Sequence, residues 1–166
     1  MTKKIALITG ISGQDGAYLA KFLLKKNYKV FGVERRSARS NNWRLEKLNI
    51  KDRVIIEDID IKEVNNLIRI FDRYKVDEVY NLAAQSFVHS SFHNPIETSL
   101  VNSIAVLNLL EIIRNKKNKI KFYQASTSEM FGKTKKNNQD EKTLFYPRSP
   151  YATSKTFAHY SVQNYR

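Results

Sequence analysis

Cysteine is absent from the 166-residue chain, which excludes a disulfide framework, a thiolate metal site and a cysteine nucleophile. That absence suits a reducing compartment, and a cytoplasmic location is expected. No apolar run approaches the roughly 20 residues a membrane-spanning helix needs. Met1-Thr2-Lys3-Lys4 leads straight into Ile5-Ala6-Leu7-Ile8 and Gly10, which does not fit a signal peptide. Neither a membrane span nor a leader is therefore expected. Acidic side chains are also scarce, 16 against 29 Lys plus Arg, for a formal net charge of +13. Such an excess points toward phosphates and so toward nucleic acid, but the lysines are spread over most segments. Their one dense run, Lys116-Lys117-Asn118-Lys119-Ile120-Lys121, falls where a helix should end and a strand begin, and cations there complement the helix dipole. No nucleic-acid partner is expected. Hydrophobic residues make up 42% of the chain and charged ones 27%, which excludes a disordered or fibrous chain. One domain over residues 1–166 is expected, without repeats, low-complexity segments or linkers.

Short β-branched runs alternate with longer stretches of helical period. Ile5–Thr9, Lys29–Glu34, Arg53–Ile56, Glu78–Leu82 and Lys121–Ala125 read as strands. Helices are expected over Asp15–Lys26, around Asn42–Leu48, over Ile61–Tyr74 and Pro95–Arg114, and from Pro150 onward. Leu19, Phe22 and Leu23 mark the inner face of the first, and Val64, Leu67, Ile68 and Phe71 that of the third. Strands separated by helices of this length imply right-handed crossovers and a doubly wound parallel α/β sheet.

Three of the five glycines fall in one turn, Gly10-Ile11-Ser12-Gly13-Gln14-Asp15-Gly16, between the first strand and the first helix. The first glycine allows a tight turn, the second lets backbone N–H groups approach a pyrophosphate, and the third lets helix and strand pack closely. The anion would sit at the positive end of the helix, so the turn points to dinucleotide binding. At the end of the second strand a carboxylate, Glu34, selects the ribose hydroxyls of NAD, whereas Arg35-Arg36-Ser37 makes a clamp for the extra phosphate of NADP. The arginine pair favours NADP, and Glu34 keeps NAD open. At the exit of the third strand, Asp58 and Ile59 stand where an adenine edge would pass.

Tyr151 and Lys155 lie four residues apart at the start of the last helix and share one face. A free phenol, with a pKa of about 10, is a poor base at neutral pH, and a neighbouring ammonium favours the phenolate. Ser126-Thr127-Ser128-Glu129 follows the fifth strand directly. If the strand persists to Glu129, Thr127 and Glu129 project to one side, Thr127 toward a substrate hydroxyl and Glu129 toward a proton on carbon. His89, His93 and His159 show no metal-ligand spacing and read as loop or surface residues, Trp43 reads as packing, and no metal site is expected.

Thr9-Gly10-x-x-Gly13-Gln14-Asp15-Gly16-x-Tyr18-Leu19, Arg35-Arg36-Ser37, Asn81-Leu82-Ala83-Ala84-Gln85-Ser86, Ala125-Ser126-Thr127-Ser128-Glu129-Met130-Phe131-Gly132 and Tyr146-Pro147-Arg148-Ser149-Pro150-Tyr151-Ala152-x-Ser154-Lys155 resemble the extended short-chain dehydrogenases, and within them the GDP-mannose 4,6-dehydratase family. The resemblance runs through the whole chain and implies a Rossmann-like fold. It implies Tyr151 as catalytic base with Lys155 as its partner, Thr127 on the sugar and Glu129 as acid and base of water elimination. Gly10, Gly13, Gln14, Asp15, Gly16, Arg35, Arg36, Asp58, Ile59, Leu82 and Ala84, with Tyr151 and Lys155, would hold the cofactor. Gln85, Ser86, Thr127, Ser128 and Glu129 would hold a GDP-sugar. In the implied cycle Tyr151 takes the O4 proton as hydride leaves C4, and Glu129 removes the acidified C5 proton. Water then leaves C6 and the hydride returns there. The resemblance also implies tetramers, with the Arg35–Ser40 loop reaching a neighbour, and places Asn102 against the fifth-strand backbone. The chain departs from the family at Phe87 (usually His), at Ala105-Val106 (usually Gly-Thr), at Glu34 (usually apolar or basic) and in length, since family members run about twice as long, with a C-terminal substrate part missing here. A nucleotide-sugar epimerase, which usually carries a small neutral residue where Glu129 stands, and a GDP-heptose dehydratase are the neighbouring readings. A non-catalytic basic binding module is the reading from another class.

Overall fold

The computed structural model describes residues 3–38, 40–135 and 138–166. Met1-Thr2 of the leader argument and Arg39 of the Arg35–Ser40 loop lie outside them. Five strands, β1 (Ile5–Thr9), β2 (Lys29–Glu34), β3 (Ile55–Asp58), β4 (Glu78–Asn81) and β5 (Lys121–Gln124), form one sheet in the order β3-β2-β1-β4-β5. Every pairing is parallel, with Ile5 beside Lys29, Ala6 beside Glu78, Phe31 beside Ile55 and Glu78 beside Lys121. The order reverses between β1 and β4, and open sheets of this kind bind ligands outside the strand ends at such a reversal.

Helices cover both faces of the central strands, so β1 and β2 are buried along most of their length, whereas the edge strand β5 alternates, with Phe122 turned inward and Tyr123 exposed. In β1, Leu7 packs toward α3 (Val64–Arg73) and α6 (Ala105–Arg114), with Phe31, Val33 and Val79 beside it. Ala6 and Ile8 pack the other way, toward α1 (Gln14–Lys25) and α2 (Trp43–Lys47). The last helix, α7 (Pro150–Tyr165), lies on α6 and β5 through Ala158, Val106, Leu110 and Phe122. Its start is set locally. The Ser149 hydroxyl accepts the Ala152 N–H at 3.0 Å and Pro150 occupies the first turn.

Several boundaries differ from the sequence expectation. The third strand runs two residues later, because Lys51–Arg53 closes a 3₁₀ turn and pairing with β2 starts at Ile55. A short helix absent from the sequence reading, α4 (Val88–His93), precedes α5 (Pro95–Ser99). The long helix is continuous from Pro95 to Arg114, but Leu100–Ile104 is wound as a π turn. With 20 residues and a mean hydropathy of 1.5, that helix is long and apolar enough to cross a membrane by length and composition alone, contrary to the expectation. The apolar residues of its second half pack in the core, Ala105, Leu109 and Ile112 against the sheet and Val106 and Leu110 against α7, while Ile96, Leu100 and Ile104 are exposed. Phe22 faces solvent at 55% exposure, under the Lys26 ammonium, and Trp43 is exposed beneath the Arg44 guanidinium at 4.3 Å, so neither fills the core. At the end of the long helix Lys116 pairs with Asp72 at 2.5 Å, and the Asn118 amide caps the Val76 carbonyl.

Candidate active site

The turn after β1 is built around its glycines. Gly10 has a φ of +69°, and a Cβ there would sit 3.0 Å from the Ala83 backbone, so both conformation and approach demand glycine. Gly13 caps α1 without a side chain, and its own N–H goes to the Gly10 carbonyl at 3.0 Å. The first N–H groups of α1 therefore receive no capping side chain and suit an anion. Gly16 lets the first helical turn close on the loop, since a Cβ would meet the Gly10 oxygen at 2.4 Å.

A cavity of about 830 Å³ opens beyond the ends of β1, β2 and β4, within the range of small-molecule and cofactor sites. Gly10 and Gly13 form its floor, Arg35 and Ile59 one wall, and Leu82, Ala84, Gln85 and Ser86 the other. The neighbouring Ser12, Glu34, Ser37, Asp60 and Glu97, which the motif reading passed over or read only in part, line it too. Gln14, Asp15, Gly16, Arg36 and Asp58 are not among its walls. Asp58 ends β3 as an exposed residue, and the chain turns into the cavity one residue later, at Ile59, whose N–H is held by the Glu34 carbonyl at 2.8 Å. Two polar atoms facing this region, Glu34 Oε2 and Gln85 Oε1, are buried without a hydrogen-bond partner.

A line of hydrogen bonds crosses the strand ends. The Thr9 hydroxyl donates to Asn81 Oδ1 (2.5 Å), Asn81 Nδ2 to Gln124 Oε1 (2.8 Å) and Gln124 Nε2 to the Ala125 carbonyl (3.0 Å). Each of these side chains closes its strand, β1, β4 and β5. The Thr9 oxygen also accepts the N–H groups of Leu82 and Ala83, at 3.1 and 3.0 Å, fixing the cavity's far wall. Lys155 donates to the same Ala125 carbonyl at 2.6 Å. Lys155 and Tyr151 are 4% and 8% exposed, and burial pulls the Lys155 ammonium down to about 8. Sequence reasoning missed this line because isolated polar residues at strand ends carry no periodic signal. Asn102 does not reach β5 as expected. It grips the backbone of Gln85, accepting from its N–H (2.9 Å) and donating to its carbonyl (3.0 Å), from inside the π turn.

The strand conformation does not persist to Glu129. β5 stops at Gln124, and Thr127 is extended, its hydroxyl capping a 3₁₀ turn over Ser128–Met130 by accepting the Glu129 N–H at 3.2 Å. A local cap satisfies a backbone donor that no neighbouring strand could reach. Glu129 and Ser128 are exposed and Thr127 half-buried. The turn is laced to the segment leading into α7: the Tyr146 N–H donates to the Met130 carbonyl (3.0 Å), and the Lys133 N–H to the Tyr146 carbonyl (3.2 Å). Thr127, Glu129, Tyr151 and Lys155 thus come from two elements held together at the end of β5, just outside the walls of the cavity. His159 lies 3.4 Å from the Ser126 hydroxyl, and His89 and His93 meet edge to face on α4. Among the described residues no group of three or more metal-ligating side chains occurs.

Comparison with known proteins follows this geometry. The chain spans about half the length of the curated relatives it matches: a GDP-mannose 4,6-dehydratase of Vibrio cholerae serotype O1 is 50% identical over all of this chain and 46% of its own length. The human GDP-mannose 4,6 dehydratase is 43% identical over 99% of this chain and 46% of its own. Among solved structures, a UDP-glucose 4-epimerase from Bifidobacterium longum, in complex with NAD+ and UDP, superposes with a TM-score of 0.86 at 27% identity, over 97% of this chain and 48% of that one. The family described as GDP-mannose 4,6 dehydratase matches residues 7–166. With that match over nearly every described element, the glycine turn, the strand-end site and the Tyr151–Lys155 helix included, the chain belongs to the GDP-mannose 4,6-dehydratase family.

Proposed function

We propose that the protein is an NADP-dependent GDP-mannose 4,6-dehydratase that forms GDP-4-keto-6-deoxy-mannose. The observation that carries this reading is Lys155, buried and held 2.6 Å from the Ala125 carbonyl, one helical turn beyond Tyr151 and beside the turn that bears Thr127 and Glu129. The relatives named for this reaction and the epimerase bound to NAD+ support the substrate and cofactor classes. The bare N–H groups at the start of α1 fit a pyrophosphate, and Arg35 beside Ser37 fits the extra phosphate of NADP.

When bound, the dinucleotide supplies a hydride acceptor for C4 and a donor for C6. Tyr151, as the phenolate that the neighbouring Lys155 ammonium favours, accepts the proton of O4 as C4 becomes a ketone. Thr127 orients the sugar by hydrogen bonding to it, and Gln85, Ser86 and Ser128 contact it from the cavity rim. The C4 ketone acidifies the C5 hydrogen, and Glu129 takes that proton and passes it to the departing C6 hydroxyl, which leaves as water. C5 then regains a proton, balancing the one Tyr151 took from O4 and gives up again, so the sequence is redox-neutral and the cofactor is regenerated each turn. Glu129 is what favours elimination over epimerisation, since the C5 proton needs a base. The working form is a homo-oligomer, a tetramer in which the Arg35–Ser40 loop reaches a neighbour.

This stretch alone, without the C-terminal substrate part, is expected to be inactive, so the test replaces Glu129 with Gln in the full-length parent and follows both product and solvent deuterium at C5 of the sugar. Product formation falls about 10²-fold or more, as expected for loss of a general acid and base, and C5 exchange falls with it. Undiminished exchange would remove Glu129 from this role.

A further inference from the structure

Glu34 is the last residue of β2, and its backbone is fixed by the chain of β3 and its exit. It pairs with Asp58, and its carbonyl accepts the Ile59 N–H. Its side chain lines the 830 Å³ cavity, with Oε2 buried and lacking any donor. Arg35 lines the same wall, and among the described residues neither of the two forms an ion pair. A buried carboxylate oxygen without a protein donor is costly, and a ligand that brings donors into the cavity relieves it. A ribose with free 2′- and 3′-hydroxyls brings two. A 2′-phosphate brings acceptors and negative charge, which Arg35 can meet but Glu34 opposes. One wall therefore carries a partner for each form of the dinucleotide.

We infer that this cavity takes NAD as well as NADP, with Glu34 holding the ribose hydroxyls of the first and Arg35 the phosphate of the second, so that Glu34 sets the ratio of the two affinities. The inference rests on the dinucleotide reading above and deepens it. The test measures dissociation constants of NAD and NADP separately, by calorimetry, for the wild type, Glu34→Gln and Arg35→Ala. Wild type saturates with both. Glu34→Gln, which keeps the side chain's size, lowers NAD affinity relative to NADP about tenfold or more, because a charge-assisted hydrogen bond is lost and a repulsion removed. Arg35→Ala moves the ratio the other way, which a general loss of folding would not do. An unchanged ratio in Glu34→Gln, or a wild type that saturates with NADP alone up to millimolar NAD, overturns the inference and leaves the dinucleotide reading intact. Failure of both dinucleotides to saturate the wild type would overturn that reading, and the inference with it.

Discussion

Lys155 shows most clearly what a single side chain costs the fold and what it contributes to the site. Burial lowers its pKa from the ordinary lysine value of 10.5 to about 8, so below pH 8 the folded protein holds a charge it disfavours. Between pH 8 and 10.5 the unfolded chain binds the extra proton and the folded one does not, so stability rises with pH across that window. The rise is of order 3 kcal/mol, at roughly 1.4 kcal/mol per pKa unit. Lys155→Met should erase this slope in melting temperature against pH. A variant that keeps the wild-type slope would show that some other group titrates there. The pair itself was legible in sequence, because Tyr151 and Lys155 stand one turn apart just after Ser149-Pro150, a helix start. Its support was not. The Ala125 carbonyl that receives Lys155, and the Thr9–Asn81–Gln124 line behind that carbonyl, join strands far apart in the chain. Asn102 is similar: a polar residue in an apolar helix announces that it bonds something, but only the fold shows that the partner is Gln85.

At the scale of elements, the strand–turn–helix unit from β1 to α1 separates two uses of glycine. Gly16→Ala drives a methyl group to 2.4 Å from the Gly10 oxygen and 2.8 Å from the Ile11 Cα, both backbone atoms that cannot step aside. It should destabilise the fold by about 1–3 kcal/mol or more. Gly13→Ala meets only the Gly10 oxygen, at 3.2 Å, and has no left-handed backbone to defend. It should melt within about 1 kcal/mol of wild type yet bind dinucleotide more weakly, because its methyl group stands where the pyrophosphate approaches. Thermal melts paired with binding curves read both. Equal effects of the two substitutions on melting would contradict this division. The central strands β1 and β2 were legible because burial on both faces makes them nearly continuous apolar runs, and the outer ones by their β-branched and aromatic residues between helical stretches. Their ends were not, since caps such as the Thr127 hydroxyl on Glu129 are decided by local hydrogen bonding that competes with strand extension. The α4 helix, Val88–His93, is short and mostly polar, and it shows no apolar period for a sequence reading to find.

For the molecule as a whole, parallel topology brings every strand's C-terminal end to one edge, so the glycine turn, Glu34, the Leu82–Ser86 wall and the Ala125–Glu129 segment become neighbours without being close in sequence. The order of motifs along the chain was enough to foresee that edge, because strands separated by helices admit few other arrangements. The cavity's actual walls, with Asp60 and Glu97 in and Asp58 out, depend on loop paths that sequence does not dictate. The chain spans about half the length of its curated relatives, and the half it spans holds the cavity and the four catalytic candidates. A dinucleotide seated along this edge would bring its reactive ring to Tyr151 and Lys155. Crystals of the protein grown with saturating NADP test this placement most directly. Electron density with the pyrophosphate on the first turn of α1, the adenine ribose beside Glu34 and Arg35, and the nicotinamide within contact of the Tyr151 hydroxyl is the predicted result. Density running elsewhere, or a nicotinamide remote from that hydroxyl, would contradict the account.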